Sequence, residues 1–335
     1  MNRWLWPGLV LGTLVAALAQ LMTGASGIGP ARLWTMLDDE TTRRIVLDLR
    51  LPRVLVALGA GACLGVAGCV LQSLLRNPLA APEITGVGSG AVLGAVTASL
   101  LGGAIATPHG MIGTAVAGGV LGGGVLWIVA ARTGSDPLRL SVLGVLISAV
   151  LTGITLILLT ARPQGAAAMV QWLVGSLNGR GWAHWQALLP WLVPVLVAAV
   201  LVAPVLGVLA VDDDHARGVG LDPARWRSAI LLLAVVAAAA AIATVGALAF
   251  VGLLAPHAAR LVFGADHRLL VPGSALIGAA TVCAADAAAQ QLTELAAAGG
   301  QPLGVPTGAV TAIAGAVVLV RAARRLSALT SGEGS

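Results

Sequence analysis

The residues best suited to chemistry lie in short polar stretches between long apolar runs. His257 follows Pro256 directly, and Arg260 stands three positions after His257. This spacing places His257 and Arg260 on one face of a helix. A metal ion held by His257 would need a carboxylate or a thiol one turn away, and neither stands at those positions. We therefore predict that Pro256, His257 and Arg260 form a structural motif, and we expect no metal site.

The residue patterns of the common hydrolytic and ATP-binding sites do not occur in this chain. It has neither the H-E-x-x-H pattern of zinc proteases nor the G-x-S-x-G pattern of serine hydrolases. All 19 basic residues are arginine, and a chain without lysine cannot form the phosphate-binding P-loop of an ATPase. We therefore expect no catalytic residues and no directly bound cofactor. Any process that this protein drives must take its energy from an ion gradient or from a partner that hydrolyses ATP.

Composition places the chain in a membrane. Of the 335 residues, 58% are hydrophobic and only 10% are charged, and the mean hydropathy is +0.95. Soluble domains carry about 25% charged residues, so an ordinary soluble enzyme is excluded. We predict an all-α, polytopic integral membrane protein in which residues 1–335 form a single transmembrane domain of about ten helices.

Apolar runs along the chain mark these helices. Glycines at four-residue spacing within them, such as Gly61 and Gly65 or Gly90 and Gly94, predict close helix packing. The eighth run is too short to cross about 30 Å of hydrocarbon, so we expect it to pack as a half-span against its neighbours. The predicted spans are Trp6–Met22, Arg53–Leu75, Gly86–Gly103, Met111–Ala131, Leu140–Thr160, Trp185–Val211, Ser228–Ala249, Leu253–Phe263, Val271–Ala297 and Gly304–Val320.

The distribution of arginine predicts the orientation of the chain. Most arginines fall on one side of the predicted spans, and the C-terminal Arg321, Arg324 and Arg325 are the clearest group. By the positive-inside rule, both termini are predicted to be cytoplasmic, in a cytoplasmic (inner) membrane. The isoelectric point of about 10.8 reflects these scattered loop arginines, so we expect contact with membrane lipid and none with nucleic acid.

Residues 211–227 form a polar connection between two spans, with the pattern of two short helices. Asp212–Asp214 can cap the first helix, where the helix dipole favours negative charge. Gly220 suits its end, and Asp222-Pro223 suits the start of the second helix. Two capped amphipathic helices at the cytoplasmic surface would offer a docking surface, whereas a plain solvated connector would not need the caps.

Two further stretches break the apolar pattern. Arg50 and Arg53 flank Pro52 at the predicted external start of the second span, where they serve either as interfacial anchors or as partner contacts. After this span, Asn77-Pro78 and Pro82 end the helix and require a turn-rich connection. Polar, irregular backbone between spans is tolerated beside protein or water, so this connection is either a pathway mouth or a simple loop.

Taken together, these stretches resemble the permease subunits of ABC importers for iron-siderophores, haem and vitamin B12, the FecCD or BtuC-like family of type II importers. The similarity runs from about residue 50 to residue 320. The motifs that carry it are R-L-P-R at 50–53, Q-x-x-x-R-N-P-L-A-x-P-x-x-x-G at 72–86, A-R-x-x-G-L at 216–221, F-V-G-L-x-x-P-H-x-x-R at 250–260, D-H-R-x-L-x-P at 266–272, L-G-V-x-T at 303–307 and T-x-x-x-G at 311–315.

The resemblance implies a ten-helix subunit that pairs with a second permease subunit, as a homodimer or a heterodimer. Two ABC ATPase subunits would supply the ATP and Mg²⁺ chemistry, and an extracytoplasmic substrate-binding protein would dock outside. Arg50 and Arg53 would then contact carboxylates of the binding protein. Asn77, Pro78 and Leu79 would lie near the cytoplasmic gate. The residues that would couple to the ATPase are Asp212, Asp213, Asp214, His215, Ala216, Arg217, Gly220 and Leu221.

The same resemblance predicts the function. We expect a permease that translocates ferric siderophore complexes, with cobalamin or haem as the alternatives within the family. Gln290 departs from the family pattern, because members often carry an arginine there. The alternative from a different class is a secondary transporter driven by an ion gradient. That class would need paired carboxylates in the membrane and inverted repeats, and no such repeat is visible in the sequence.

Overall fold

The helices observed in the structure follow the predicted spans. The structure is a computed structural model that describes residues 5–24, 39–133, 137–160, 171–296 and 304–331. Leu303 and the side chains of Arg324 and Arg325 lie outside this description. The α-helices are α1 (Leu5–Met22), α2 (Glu40–Arg44), α3 (Leu51–Leu74), α4 (Val87–Leu101), α5 (Pro108–Thr133), α6 (Pro137–Thr160), α7 (Trp182–Val211), α8 (Asp213–Gly218), α9 (Pro223–Val245), α10 (Val251–Phe263), α11 (His267–Ala296) and α12 (Thr307–Ser331).

Membrane-crossing helices dominate the described ranges, and the predicted all-α membrane fold is confirmed. Seven helical segments are long and apolar enough to cross a bilayer, and α4, α10 and the apolar part of α12 are shorter. Helix α10 has only 13 residues. It begins after Phe250, whose backbone is left-handed with φ 66°, and it ends at Gly264, with φ 72°. Sharp turns at both ends therefore set the length of this half-span.

Helix α3 lies at the centre of the fold. It packs against α7, α9, α10 and α11, and almost all of its side chains are buried. Gly61 and Gly65 face the backbone of Gly278 and Ser274 on α11, where an added methyl group would overlap main-chain atoms. The close packing predicted from the glycine spacing is confirmed at this contact.

Helices α4 and α5 make a second close pair. Gly90 faces the backbone of Gly118, and Gly94 faces the backbone of Thr114. Small residues on both helices allow the two backbones to approach, as predicted for Gly90 and Gly94. This pair packs on α9, so α3 and α9 together form the core on which the remaining helices are arranged.

The segment before α3 is also helical. Asp39 caps α2 by accepting a hydrogen bond from the backbone N–H of Thr41 at 3.0 Å. A π-helical stretch, Ile45–Arg50, then leads directly into α3. This continuity places Arg50 and Arg53 one turn apart, at the end of α3 that is remote from α8.

Candidate coupling and gating sites

Helix α8 is a single short helix between α7 and α9, and its caps explain where it begins and ends. The side chain of Asp212 accepts a hydrogen bond from the backbone N–H of His215. Gly220 follows the helix with a left-handed φ of 83°, and Asp222 accepts hydrogen bonds from two N–H groups in the first turn of α9. The first short helix predicted for residues 211–227 is therefore present, whereas the prediction of a second short helix is wrong, because Asp222 and Pro223 begin the 23-residue span α9.

Asp213 ties α8 to the ends of three membrane helices. Its Oδ1 accepts hydrogen bonds from Nη2 of Arg76 at 2.9 Å and from Nη2 of Arg227 at 2.7 Å. Both guanidiniums also donate to the carbonyl oxygen of Leu209 on α7, and Nη1 of Arg227 donates to the carbonyl oxygen of Leu74 on α3. Because Arg227 itself belongs to α9, any displacement of α8 acts directly on α3, α7 and α9.

The electrostatics of this contact keep Asp213 ionised. Burial raises the pKa of Asp213, but the charges and hydrogen bonds of Arg227 and Arg76 outweigh burial, so the pKa lies below its ordinary value of 3.8. The side chain of Asp213 is 42% exposed and that of Arg227 is 13% exposed. Solvent therefore reaches Asp213 more than Arg227 and screens their attraction only in part. Both side chains remain charged throughout the physiological pH range.

The opposite face of α8 points to solvent. Arg217 and Asp214 form an ion pair of 2.7 Å, and their side chains are 61% and 95% exposed. Ala216, by contrast, is fully buried in the apolar core, and its carbonyl oxygen accepts a hydrogen bond from the N–H of Leu221. Gly220 borders open space. The helix is thus anchored by its inner face and leaves its outer face available to a partner.

The predicted gate segment is a tight turn at the same end of α3. Oδ1 of Asn77 accepts a hydrogen bond from the N–H of Leu79 at 2.9 Å, and its Nδ2 donates to Oγ of Ser141 on α6. Pro78 and Leu79 are exposed. The turn directly follows Arg76, so it is one residue away from the guanidinium that binds Asp213.

The motif at residues 256–260 divides between the interior and the surface. Pro256 is buried within α10, whereas His257 is exposed. Nη1 of Arg260 donates a hydrogen bond to Oε1 of Gln72, and Nε2 of Gln72 donates to the carbonyl oxygen of Leu253 at 3.2 Å. Arg260 and Gln72 thereby join α10 to α3. In the part of the chain that the structure describes, no group of three or more His, Cys, Asp or Glu residues could hold a metal ion.

A neighbouring contact was not predicted from the sequence. Nε2 of His267 lies 2.8 Å from Oγ of Ser73, and that hydroxyl donates its proton to the carbonyl oxygen of Cys69 at 2.8 Å. The hydroxyl therefore accepts from Nε2–H of the imidazole, which joins the start of α11 to α3. The D-H-R motif at 266–268 marks His267 as notable in the sequence, but it does not indicate that Ser73 is its partner.

The other end of α3 holds a buried carboxylate. Asp286 has no exposed surface. Its Oδ1 accepts hydrogen bonds from Nη2 of Arg53 at 2.8 Å and from Oγ1 of Thr307 at 2.7 Å. Its Oδ2 accepts from Nε of Arg53 and Nε2 of Gln20, both at 2.7 Å, and from Nε2 of Gln290 at 3.0 Å. One carboxylate therefore connects α1, α3, α11 and α12, about 36 Å from α8 by the rise of α3.

The two arginines predicted to meet a binding protein have partners inside the fold. Arg53 is 19% exposed, and besides Asp286 its Nη2 contacts Oδ1 of Asn178 at 2.9 Å. Arg50 is 7% exposed and donates to the carbonyl oxygens of Leu21 at 2.9 Å and Gly24 at 3.3 Å. Contact with a binding protein stays a prediction for both residues.

Two exposed arginines lie close by on α2. Nε of Arg44 is 3.0 Å from Oε1 of Glu40, and Nη1 of Arg43 is 3.8 Å from Oε2. The side chains of Arg44 and Arg43 are 73% and 57% exposed. Glu40 and the capping carboxylate of Asp39 balance the two guanidiniums in number, so this short helix presents exposed charges of both signs beyond the buried network of Asp286.

Comparison with known proteins decides the family. The model of the FecCD transport family matches residues 12–325. This chain belongs to that family. The FecCD match spans nearly all of the described helices, and it confirms the resemblance inferred from the motifs.

Individual relatives agree with this assignment. The chain is 36% identical over 316 residues to the ferric enterobactin transport system permease protein FepG of Escherichia coli, covering 93% of both chains. It is 38% identical over 280 residues to the cobalamin import system permease protein BtuC of Halobacterium salinarum, covering 83% of this chain and 72% of the relative. A solved structure described as an inward-facing metal-chelate type ABC transporter matches with a TM-score of 0.80 and 25% identity, over 95% of this chain and 97% of that chain.

The FecCD assignment gives the described geometry its context. Members of this family are membrane components of transporters, so this chain is a multi-pass transport protein of the inner membrane. The polar networks at the two ends of α3 are therefore features of a transport protein. One network includes the capped helix α8 and the turn at Asn77, and the other is centred on Asp286.

Proposed function

We propose that this FecCD protein is the permease subunit of an ATP-driven importer that moves ferric siderophore complexes across the cytoplasmic membrane. The observation that carries the proposal is the attachment of α8, which is anchored to three spans through Asp213 while its outer face is exposed. A transporter whose ATP hydrolysis lies in another subunit needs such a rigid connection between the docking surface and the spans.

The proposed docking surface is the exposed face of the segment from Asp212 to Leu221. We propose that each of two ABC ATPase subunits contacts this surface, one on this chain and one on a second permease subunit, identical or different. ATP and Mg²⁺ bind in the ATPase subunits. Asp214 and Arg217 offer exposed charge of both signs, and such a surface suits a partner whose association is reversible and sensitive to salt.

The same attachment links docking to gating. Arg76 binds Asp213 of α8, and the next residue, Asn77, begins the exposed turn that contains Pro78 and Leu79. When the ATPase subunits close and move α8, this turn moves with it. We propose that Asn77, Pro78 and Leu79 line the cytoplasmic gate, and that rocking of the two permease subunits opens one side at a time.

The external end supports docking of an extracytoplasmic substrate-binding protein. Arg43 and Arg44 present exposed positive charge on α2, which favours a partner surface that carries carboxylates. Arg50 binds the carbonyl oxygen of Leu21 and Arg53 binds Asp286, so both arginines fix the start of α3 at this end. We therefore propose that the binding protein docks over this end, where it contacts the α2 arginines together with Arg50 and Arg53.

The substrate class follows from the relatives. The matched permeases include those named for ferric enterobactin, Fe(3+) dicitrate and iron(3+)-hydroxamate. Cobalamin is the second candidate, because the cobalamin permease of Halobacterium salinarum is 38% identical. Iron chelates and cobalamin are large polar ligands, and a path without a tight binding site suits their passage.

Uptake in cells that carry or lack the gene tests this function. Radiolabelled ferric enterobactin, ferric citrate and cobalamin are supplied under iron limitation, and complementation uses the natural chain, Asp213→Asn or the control Asp48→Asn, since Asp48 is exposed. We expect iron-chelate uptake to require the gene, to fail with Asp213→Asn and to persist with Asp48→Asn, at equal amounts of membrane-inserted protein. Loss of cobalamin uptake alone would overturn the substrate, and uptake of all three ligands without the gene would overturn the function.

A further inference from the structure

A cavity of about 450 Å³ opens beside α8. This volume lies within the range of about 300–1,000 Å³ that is typical of small-molecule sites. Its floor is apolar and comes from α3, α5 and α9, where Leu71, Leu126 and Leu231 line it. Trp127 forms part of the wall. The cavity shares Arg217 with the exposed face of α8, and the turn at Asn77 is not part of its lining.

The rim of this cavity is positively charged. Arg76, Arg217 and Arg227 line it together with a single acidic residue, Asp213. Asp213 accepts hydrogen bonds from two of these guanidiniums, whereas the partner of Arg217 is Asp214, which is 95% exposed and does not line the cavity. The lining therefore attracts an anion.

One hydrogen-bond donor at the rim lacks an acceptor. Nε of Arg227 is buried and has no hydrogen-bond partner within the described ranges, although both Nη atoms of the same guanidinium are bonded. A buried N–H without an acceptor is unfavourable. The charge of Arg227 is thus not fully satisfied by the contacts of its guanidinium.

The cavity also lies where the apolar spans meet polar residues. Its rim is formed where α3 ends and α9 begins, at the junction between apolar spans and the polar helix α8. Tryptophan and arginine are both enriched at this level of a membrane. An apolar floor below a basic rim matches a molecule with an anionic phosphate at one end and hydrocarbon at the other.

We propose that this cavity binds one anionic phospholipid. Its phosphate lies against the positive rim of Arg76, Arg217 and Arg227 and accepts hydrogen bonds from the exposed guanidinium of Arg217. An acyl chain lies against Leu71, Leu126 and Leu231. The lipid then braces α8 against α3, α5 and α9. Placing this lipid in the cytoplasmic leaflet rests on the orientation given in the proposed function. The existence of the binding site does not depend on that orientation.

Lipid retention by the purified chain tests the apolar part of the site. Delipidated protein in mild detergent is titrated with palmitoyl-oleoyl phosphatidylglycerol or phosphatidylcholine, and bound lipid is counted by native mass spectrometry. Leu231→Trp fills the cavity, and Leu232→Trp is the matched control because Leu232 is 51% exposed on the same helix. We expect Leu231→Trp to weaken phosphatidylglycerol binding about tenfold and Leu232→Trp to leave it unchanged. Equal binding by the two variants would overturn the proposal.

A second pair of variants tests the charged rim. Arg217→Gln removes a guanidinium that lines the cavity, whereas Arg225→Gln removes one that is 88% exposed and lies outside the lining. We expect only Arg217→Gln to reduce the preference for phosphatidylglycerol over phosphatidylcholine. No preference in the natural chain, or an equal loss of preference in Arg225→Gln, would overturn the lipid assignment. ATPase binding measured in the same samples tests the proposed function separately.

Discussion

Replacing Asp286 with asparagine keeps the shape of the side chain but removes its charge. Three N–H donors, from Arg53, Gln20 and Gln290, converge on Oδ2, and Arg53 and Thr307 donate to Oδ1. An amide nitrogen at the Oδ2 position would face three donors, and at the Oδ1 position it would still face the guanidinium. Asparagine therefore cannot satisfy this site in either orientation.

The cost follows from the burial of the pair. Breaking a buried ion pair by removing one partner destabilises a protein by about 3–5 kcal/mol. Asp286 has no exposed surface, but the Arg53 side chain retains 19% of its exposure. Water can solvate part of the remaining charge, so we expect Asp286→Asn to lower the free energy of unfolding by about 3 kcal/mol, at the lower end of that range.

A double-mutant cycle measures this interaction. The natural chain, Asp286→Asn, Arg53→Gln and the double variant are unfolded by SDS in mixed micelles, followed by the fluorescence of the nine tryptophans. We expect a coupling energy of about 2 kcal/mol. The matched control is the exposed pair of Glu40 and Arg44, for which we expect less than about 0.5 kcal/mol. A coupling energy for Asp286 and Arg53 as small as the control would refute the reasoning.

Three further predictions concern α8 and the packing of α3. Gly220→Val should abolish uptake without affecting membrane insertion, because a β-branched residue is strained at φ 83°. Gly220→Asn should retain uptake, and equal uptake by the two variants would count against the coupling role. Because the pKa of Asp213 is lowered, the ionised Asp213 stabilises α8 at any pH above its ordinary pKa, and this stabilisation is lost only as the pH falls through the lowered pKa. The protection of α8 against hydrogen exchange should therefore stay constant between pH 8 and pH 5. A loss of protection near neutral pH would contradict this. Gly65→Leu should destabilise the protein by about 3 kcal/mol in SDS unfolding through overlap with Ser274, and Gly113→Leu, which points into open space, should not.

The helices could be predicted from the sequence because the lipid environment imposes a simple pattern. Each apolar run must satisfy its own backbone hydrogen bonds, so run length predicts span length. This reasoning identified α10 as a half-span, and the caps at Asp212 and Asp222 also followed from local residue types. Local patterns of this kind need no knowledge of distant contacts.

The partners of the buried polar residues could not be predicted in the same way. Arg53 and Asp286 are 233 residues apart, and the sequence shows only that each lies near a predicted span end. A basic residue at such an end has the same local pattern whether it points to solvent or to a buried carboxylate. The motifs identified Arg53 and Arg76 as notable, but only the packing of α3 against its neighbours shows what they contact.

The central claim, that α8 is the contact for an ATPase subunit, is tested most directly by site-specific photocrosslinking. The three native cysteines, Cys63, Cys69 and Cys283, are all buried, so a thiol-reactive benzophenone will label an exposed introduced cysteine. Asp214→Cys places the probe on the outer face of α8, and Glu40→Cys places it at the opposite end of α3. We predict a crosslink to the cognate ATPase subunit from position 214 and none from position 40. Absence of a crosslink at 214, or an equal yield at 40, would contradict the account.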